Sequence, residues 1–258
     1  RATFAVGGFS FSGNTANNGV VFTPLEPWED RPQGVTSFSL IGQLFGQFSG
    51  ITEARVFPVN PPSIQGLSSF SGFQFQLQDR RGNLTIDTLV ENMFGLIGSA
   101  NQDPNLQAVF STYAANSPLI EIDVDRDKAK TLNVDIDNVF GTLQTYLGSR
   151  YVNDFTLQGR TYRVYVQADQ QYRSAPDDIN QLYVRSEDDV MISMGNLVNL
   201  RETTGAQTIN HYNLFRSIEI NGQAAEGISS GDAITTMESV AAQALPASLG
   251  YEWTGSAL

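Results

Sequence analysis

Gly227-Ile228-Ser229-Ser230-Gly231 has the G-x-S-x-G spacing of a nucleophile elbow, in which a serine on a sharp strand-to-helix turn attacks an acyl carbon. That chemistry needs a histidine after the serine in chain order, and the single histidine, His211, precedes it. Ser229 therefore reads as a helix cap, with Asp232 three residues on completing a capping box. Asp123, Asp125 and Asp127 alternate as the carboxylates of a calcium loop do. Lys128 stands where that loop needs its turning glycine, however, and Val134 where it needs a bidentate glutamate. These residues read as the outer face of a strand running into a helix start. His211 has no second histidine with which to share a metal, and the chain has no cysteine, which also removes disulfides and thiol nucleophiles. Asn83-Leu84-Thr85 fits the glycosylation pattern without supporting context. There is no Walker loop and no G-x-G-x-x-G. No catalytic residue, metal or cofactor is expected.

The residue type in excess is phenylalanine, 16 in 258, while charged residues make up only 16% against about 25% in an average soluble domain. Phe4, Phe9, Phe11 and Phe22 gather at the start, with Phe57 further on. Two of them lie in the segment from Gly7 to Gly13, too rich in Gly and Ser for a rigid strand and too aromatic for an ordinary solvent loop. Two readings stay open here: a buried turn on the core, or a mobile loop offering rings to an apolar ligand. The balance of 15 basic and 27 acidic residues, net −12, repels phosphate backbones, so no nucleic acid is expected as a partner.

The elements that must position these residues follow from periodicity. Alternation predicts a strand at Phe4 and Val6, a second at Gly19 to Leu25 and a third at Ala54 to Val59, with a helix over Val35 to Phe48 between them. Beyond a Ser/Gly-rich joint, Gly66 to Gly72, Phe73, Phe75 and Leu77 alternate with Gln74, Gln76 and Gln78 as a half-buried strand. A helix from Asn83 to Gly98 and a strand at Val109 to Tyr113 follow, and the tail repeats the form: a strand at Ile218 and Ile220, a helix from Asp232 to Leu245, a strand at Gly250 to Trp253. The two halves make a split βαβ sandwich of the α+β class, with residues near 118 to 207 inserted. That insertion carries strands at Ile120 to Val124 and Tyr162 to Val166 and a helix from Ile136 to Leu147. It ends with strands and a short helical turn over Asp177 to Val184 and Met191 to Leu200. No apolar run reaches the roughly 18 residues of a membrane helix, and the first residues do not show the positive segment followed by an apolar one that marks a signal peptide. It is expected to be soluble by itself, and Arg1 within a strand-like segment suggests a piece of something larger.

At this point the residues carry a resemblance. Phe4-Ala5-Val6-Gly7-Gly8-Phe9-Ser10-Phe11-Ser12-Gly13, Pro27-Trp28-Glu29-Asp30-Arg31-Pro32, Tyr151-Val152-Asn153-Asp154-Phe155 and Gly250-Tyr251-Glu252-Trp253-Thr254-Gly255 resemble the second large periplasmic loop of hydrophobe/amphiphile efflux pumps of the resistance-nodulation-division (RND) superfamily. Val164-Tyr165-Val166, Tyr212-Asn213 and Gly222-Gln223-Ala224-Ala225 continue the likeness in the same order. It implies ferredoxin-like porter subdomains: residues 1–66 an incomplete first one, 67–117 with 208–258 a second, and 118–207 an inserted α+β docking subdomain. It also implies the periplasmic portion of an inner-membrane homotrimer that joins a periplasmic adaptor and an outer-membrane channel and exchanges protons for hydrophobic or amphiphilic small molecules. Soluble assembly contacts alone, or export of lipids or pigments, are the other roles within reach.

Carried over by position, the resemblance puts Phe4, Val6, Phe9, Phe11 and Phe22 in a deep hydrophobic pocket, and Phe57 and Glu219 in an entrance pocket. Gly7, Gly8, Ser10, Ser12, Gly13 and Asn14 fall on a switch loop between the two. Asn14 stands where the family has a basic residue, Val59 where it has a second phenylalanine, and Asn221 where it has an aliphatic one. Rings suit such a role because they give apolar area without fixed hydrogen-bond demands, and glycines let a loop between pockets move.

Overall fold

The alternation at the start folds as a short hairpin in the computed structural model, which describes residues 2–11, 17–48, 50–62, 64, 66 and 68–257. Strand β1 (Phe4–Gly7) pairs antiparallel with β2 (Gly19–Phe22), placing Phe4 opposite Phe22 and Val6 opposite Val20. Helix α1 (Ser37–Phe48) follows, as the three-and-four spacing predicts. The expected strand over Ala54 to Val59 is a correction: the segment is irregular chain with no ladder partner. Pro58 removes one N–H inside the run and Pro61-Pro62 close it, so it cannot supply a regular row of donors.

Strand β3 (Phe73–Asp79), helix α2 (Ile86–Ala100) and strand β4 (Leu106–Phe110) come next. Thr85 caps α2 by accepting from the Thr88 N–H at 3.2 Å. Ala108 takes a left-handed φ of 51° within β4, and the Asn101 side chain holds the irregularity by donating to the Val109 carbonyl (2.8 Å) and accepting from its N–H (3.0 Å).

The chain divides into two compact units, residues 1–115 with 206–258, and residues 116–205. The second unit opens and closes on one ladder, β5 (Ser117–Val124) against β10 (Val198–Gly205). Between them lie α3 (Arg126–Thr131), α4 (Ile136–Leu143), the hairpin of β6 (Arg150–Leu157) and β7 (Arg160–Val166), and a short pair, β8 (Tyr183–Arg185) with β9 (Met191–Ser193). Its core joins Ala129, Val139, Leu143, Ile179, Val184, Met194 and Leu197. The helix expected to reach Leu147 ends at Leu143 and continues as a π-helical turn, Gln144–Gly148. Much of the strand expected over Asp177 to Val184 is a 3-10 turn, Pro176–Gln181, because Asp178 accepts from the N–H groups of Ser174 and Ala175, both at 2.9 Å, and draws the chain into a turn. Strand β6 has no counterpart in the sequence reading; it meets β7 through Gln158 and Gly159, both at positive φ, and the hairpin is exposed on both faces.

The chain then returns to the first unit with β11 (Asn210–Tyr212), β12 (Phe215–Ala224), α5 (Ser230–Ala244) and β13 (Leu249–Thr254). The sheet runs β13-β3-β12, and the far edge of β12 is shared by β11 and β4. The units β3-α2-β4 and β12-α5-β13 thus interleave in one antiparallel sheet, the ferredoxin-like split βαβ arrangement of an α+β fold. One face of the sheet, with Phe75, Leu77, Ile218 and Ile220, packs against Leu89, Met93 and Leu96 of α2 and Met237 of α5. Each such side chain contributes about 1.5–3 kcal/mol by leaving water. Among the described residues, no helix is long and apolar enough to cross a membrane.

Candidate ligand-binding site

Period two decides what lies on the other face of that sheet. With Phe73, Phe75 and Leu77 turned to the helices, β3 turns Gln74, Gln76 and Gln78 the opposite way, and register puts Asn221, Glu219 and Ser217 of β12 directly opposite them. This polar set is buried, apart from the half-exposed Glu219. The Glu219 carboxylate accepts from Gln76 Nε2 (3.1 Å), Asn221 Nδ2 (3.0 Å) and Gln74 Nε2 (3.5 Å), and its own carbonyl accepts from Ser111 Oγ (2.6 Å). Among the described residues no lysine or arginine pairs with it.

Phe110 of β4 stands opposite Asn221 and so shares this face. It is 5% exposed and forms the hub of a group of rings. Phe57 stacks on it with centroids 4.8 Å apart and planes at 21°, Phe70 meets it edge-on at 5.7 Å, and Phe45 of α1 lies 6.1 Å away. From Phe70 the group extends to Phe11 (5.4 Å, 83°), and from Phe11 to Phe9 (5.9 Å, 69°). These are the offset and edge geometries that aromatic quadrupoles prefer.

Of the residues singled out in the sequence, Phe9, Phe11 and Phe57 are brought together, through Phe70 and Phe110. Phe4 and Phe22 make a separate pair across the β1–β2 hairpin, centroids 6.1 Å apart, with Phe4 65% exposed. Val6 lies half-buried beside them, opposite Val20. Gly7 ends β1; Gly8, at φ +77°, donates its N–H to Asn18 O at 2.8 Å, and Ser10 Oγ accepts from Asn18 Nδ2 at 3.4 Å. Ser12, Gly13 and Asn14 lie outside the described residues. Val59 is half-buried in the irregular segment after Phe57. Sequence reasoning misses Phe45, Phe70 and Phe110 as members of the group, since their meeting depends on how β4 registers with β12.

The residues with catalytic spacing are engaged otherwise. Ser229 Oγ accepts from the Asp232 N–H (3.1 Å) and donates to Asp232 Oδ2 (2.7 Å), capping α5, and Asp125 caps α3 by accepting from the Lys128 N–H (2.9 Å). His211 sits opposite Arg216 in the β11–β12 ladder. Among the described residues no three His, Asp or Glu side chains converge as a metal site. Burial pushes the Tyr113 hydroxyl above its ordinary pKa, with Arg216 pulling the other way; burial and then the Glu238 charge raise that of Tyr251. A separate groove of about 450 Å³ in the unit of residues 116–205 is lined by mixed polar groups, Asp137, Thr142, Tyr146, Arg150 and Arg185 among them.

Comparison with known proteins bears on this arrangement. A family model described as the AcrB/AcrD/AcrF family matches residues 1–258. The chain is 38% identical over 257 residues to the multidrug export protein AcrF of Escherichia coli K12, covering 99% of this chain and 25% of that protein. The multidrug resistance protein MdtF of the same organism gives the same figures. The multidrug/solvent efflux pump membrane transporter MepB of Pseudomonas putida is 32% identical over 254 residues, 98% of this chain and 24% of that protein. The fold and the match along the whole chain define its class: it belongs to the AcrB/AcrD/AcrF family of RND multidrug efflux transporters. It spans about a quarter of the length of these relatives.

Proposed function

We propose that this chain is the periplasmic substrate-binding portion of a proton-driven RND efflux pump, in which hydrophobic and amphiphilic compounds move along the rings toward an outer-membrane channel. The observation that carries the reading is the six-ring group Phe9, Phe11, Phe70, Phe110, Phe57 and Phe45, whose hub Phe110 shares a sheet face with Glu219. Rings of this kind bind by area and stacking, so ligands of different shape can share one wall. In this reading residues 1–66 belong to a first porter subdomain, 67–117 with 208–258 form the second, and 118–207 the docking subdomain of an inner-membrane homotrimer. Phe4, Val6, Phe9, Phe11 and Phe22 line the deep pocket, Phe57 and Glu219 the entrance, and Gly7, Gly8, Ser10, Ser12, Gly13 and Asn14 form the switch between them. The β6–β7 hairpin, with Tyr151, Phe155, Tyr162 and Tyr165 exposed, favours an additional role for the inserted unit in contacts with the adaptor or channel.

The test is export by the full-length transporter carrying this chain, with Phe11→Ala and Phe110→Ala introduced singly and together. Accumulation of hydrophobic dyes and drugs is expected to rise, most for the largest apolar ones. Unchanged export of every hydrophobic substrate by stably folded variants sinks the reading.

A further inference from the structure

Two amides on the Glu219 face are held in one orientation each. Asn221 gives its Nδ2 to the Glu219 carboxylate at 3.0 Å, and Gln223 gives its Nε2 to the Ser71 hydroxyl at 3.2 Å. The opposite end of each amide, Asn221 Oδ1 and Gln223 Oε1, is buried with no donor facing it. The two side chains are 1% and 5% exposed and stand two residues apart on β12. Buried acceptors without a donor are rare in folded proteins, and each needs a physical reason. Glu219 adds a negative charge that amides solvate and no cation neutralises among the described residues. This part of the face is therefore rich in acceptors, while Phe110 opposite Asn221, with Phe57 and Phe70 against it, supplies an apolar wall.

We infer that this face selects amphiphilic amines in their protonated form, compounds whose ammonium carries N–H donors and whose body is apolar. The inference rests on the reading of the ring group as a site for transported compounds. An ammonium with N–H groups answers both deficits: its charge meets Glu219, and its hydrogens meet Asn221 Oδ1 and Gln223 Oε1. A quaternary ammonium of the same size brings the charge without the donors and leaves both oxygens unpaired. A carboxylate brings acceptors to acceptors and is repelled by Glu219. Both amide oxygens are shut off from solvent, so the ammonium reaches them only as the side chains over this face part.

Three probes with one aromatic tail separate these terms: phenylbutylamine, its N,N,N-trimethyl derivative and phenylbutyrate, each competing with a fluorescent apolar dye on the full-length transporter in lipid nanodiscs. The amine is expected to bind about tenfold more tightly than the trimethyl compound, the ratio one charge-assisted hydrogen bond gives, and the carboxylate most weakly. Asn221→Leu and Gln223→Leu are each expected to shrink the amine-to-trimethyl ratio, and Glu219→Gln the cation-to-anion ratio. Should Asn221→Leu fail to fold, the unmodified protein and Gln223→Leu decide the matter. Equal binding of amine and trimethyl compound, or a ratio that the folded variants leave unchanged, overturns the inference while leaving the site itself standing. Failure of the dye and all three probes to bind overturns the underlying reading of the ring group, and the inference with it.

Discussion

Phe110 lies where three rings meet, and a mutant cycle across its shortest contact measures what holds the group together. Its side chain is almost fully buried, and the Phe57 ring is stacked on it at 4.8 Å. Phe110→Ala is expected to cost about 3–5 kcal/mol, the range for a large buried ring whose cavity closes only in part. Phe57→Leu and Phe110→Leu keep most of the apolar volume and lose the ring geometry, so each costs less. Their double mutant is expected to fall short of additivity by about 1 kcal/mol, the coupling of a well-placed aromatic pair. Urea unfolding followed by tryptophan fluorescence reads this selectively. The two tryptophans, Trp28 and Trp253, both belong to the unit of residues 1–115 and 206–258, and the inserted unit is silent. At an m-value of roughly 2 kcal/mol/M, a loss of about 4 kcal/mol moves the midpoint by about 2 M. A cost under about 1 kcal/mol for Phe110→Ala, or no coupling between the two leucine variants, would refute the idea that these rings form a packed, preformed wall.

Four further outcomes can be checked with the same signal. Buried Asp79 accepts from the N–H groups of Arg81 (3.2 Å), Gly82 (2.8 Å) and Leu84 (3.1 Å), so Asp79→Ala is expected to cost about 3 kcal/mol by stranding these donors at the turn into α2. Gly72 has a φ of +101° and a Cβ there would lie 2.2 Å from the Gly222 carbonyl oxygen, so Gly72→Ala is expected to cost more than about 2 kcal/mol; Gly95→Ala, in open space on α2, should gain about 0.5–1 kcal/mol. Burial raises the Tyr113 pKa, and burial with the Glu238 charge raises that of Tyr251, so the folded state keeps protons that the unfolded chain releases near pH 10. This contribution is fully present below about pH 10 and is lost as pH rises through the raised folded values; a midpoint that falls there in the parent and less so in Tyr113→Phe bears it out.

How much of this was legible in the sequence depends on which contacts are local. Alternation in β3 shows at once, because one of its faces meets two helices and the other carries three glutamines. The Ser229 cap is equally plain, since serine and Asp232 satisfy each other within one turn. Strand β6 escapes notice because no core sorts its two faces, and Tyr151, Val152, Phe155 and Leu157 fall on it without a period. The ring group is partly legible by residue type, in Phe9, Phe11 and Phe57. Phe110 is not, because a strand pattern cannot say that it will face Asn221 across an insertion of about 90 residues.

That insertion also bears on the order of folding. Strands β4 and β12 must pair across the gap, and closing a flexible loop of about 90 residues costs about 4 kcal/mol of chain entropy. The β5–β10 ladder holds Ser117 opposite Gly205, so once residues 116–205 are folded the gap is spanned by two adjacent chain ends. Early folding of the inserted unit therefore turns a distant pairing into a nearly local one. A substitution such as Val139→Ala, in the core of the inserted unit, should slow the refolding seen by the tryptophans of the other unit.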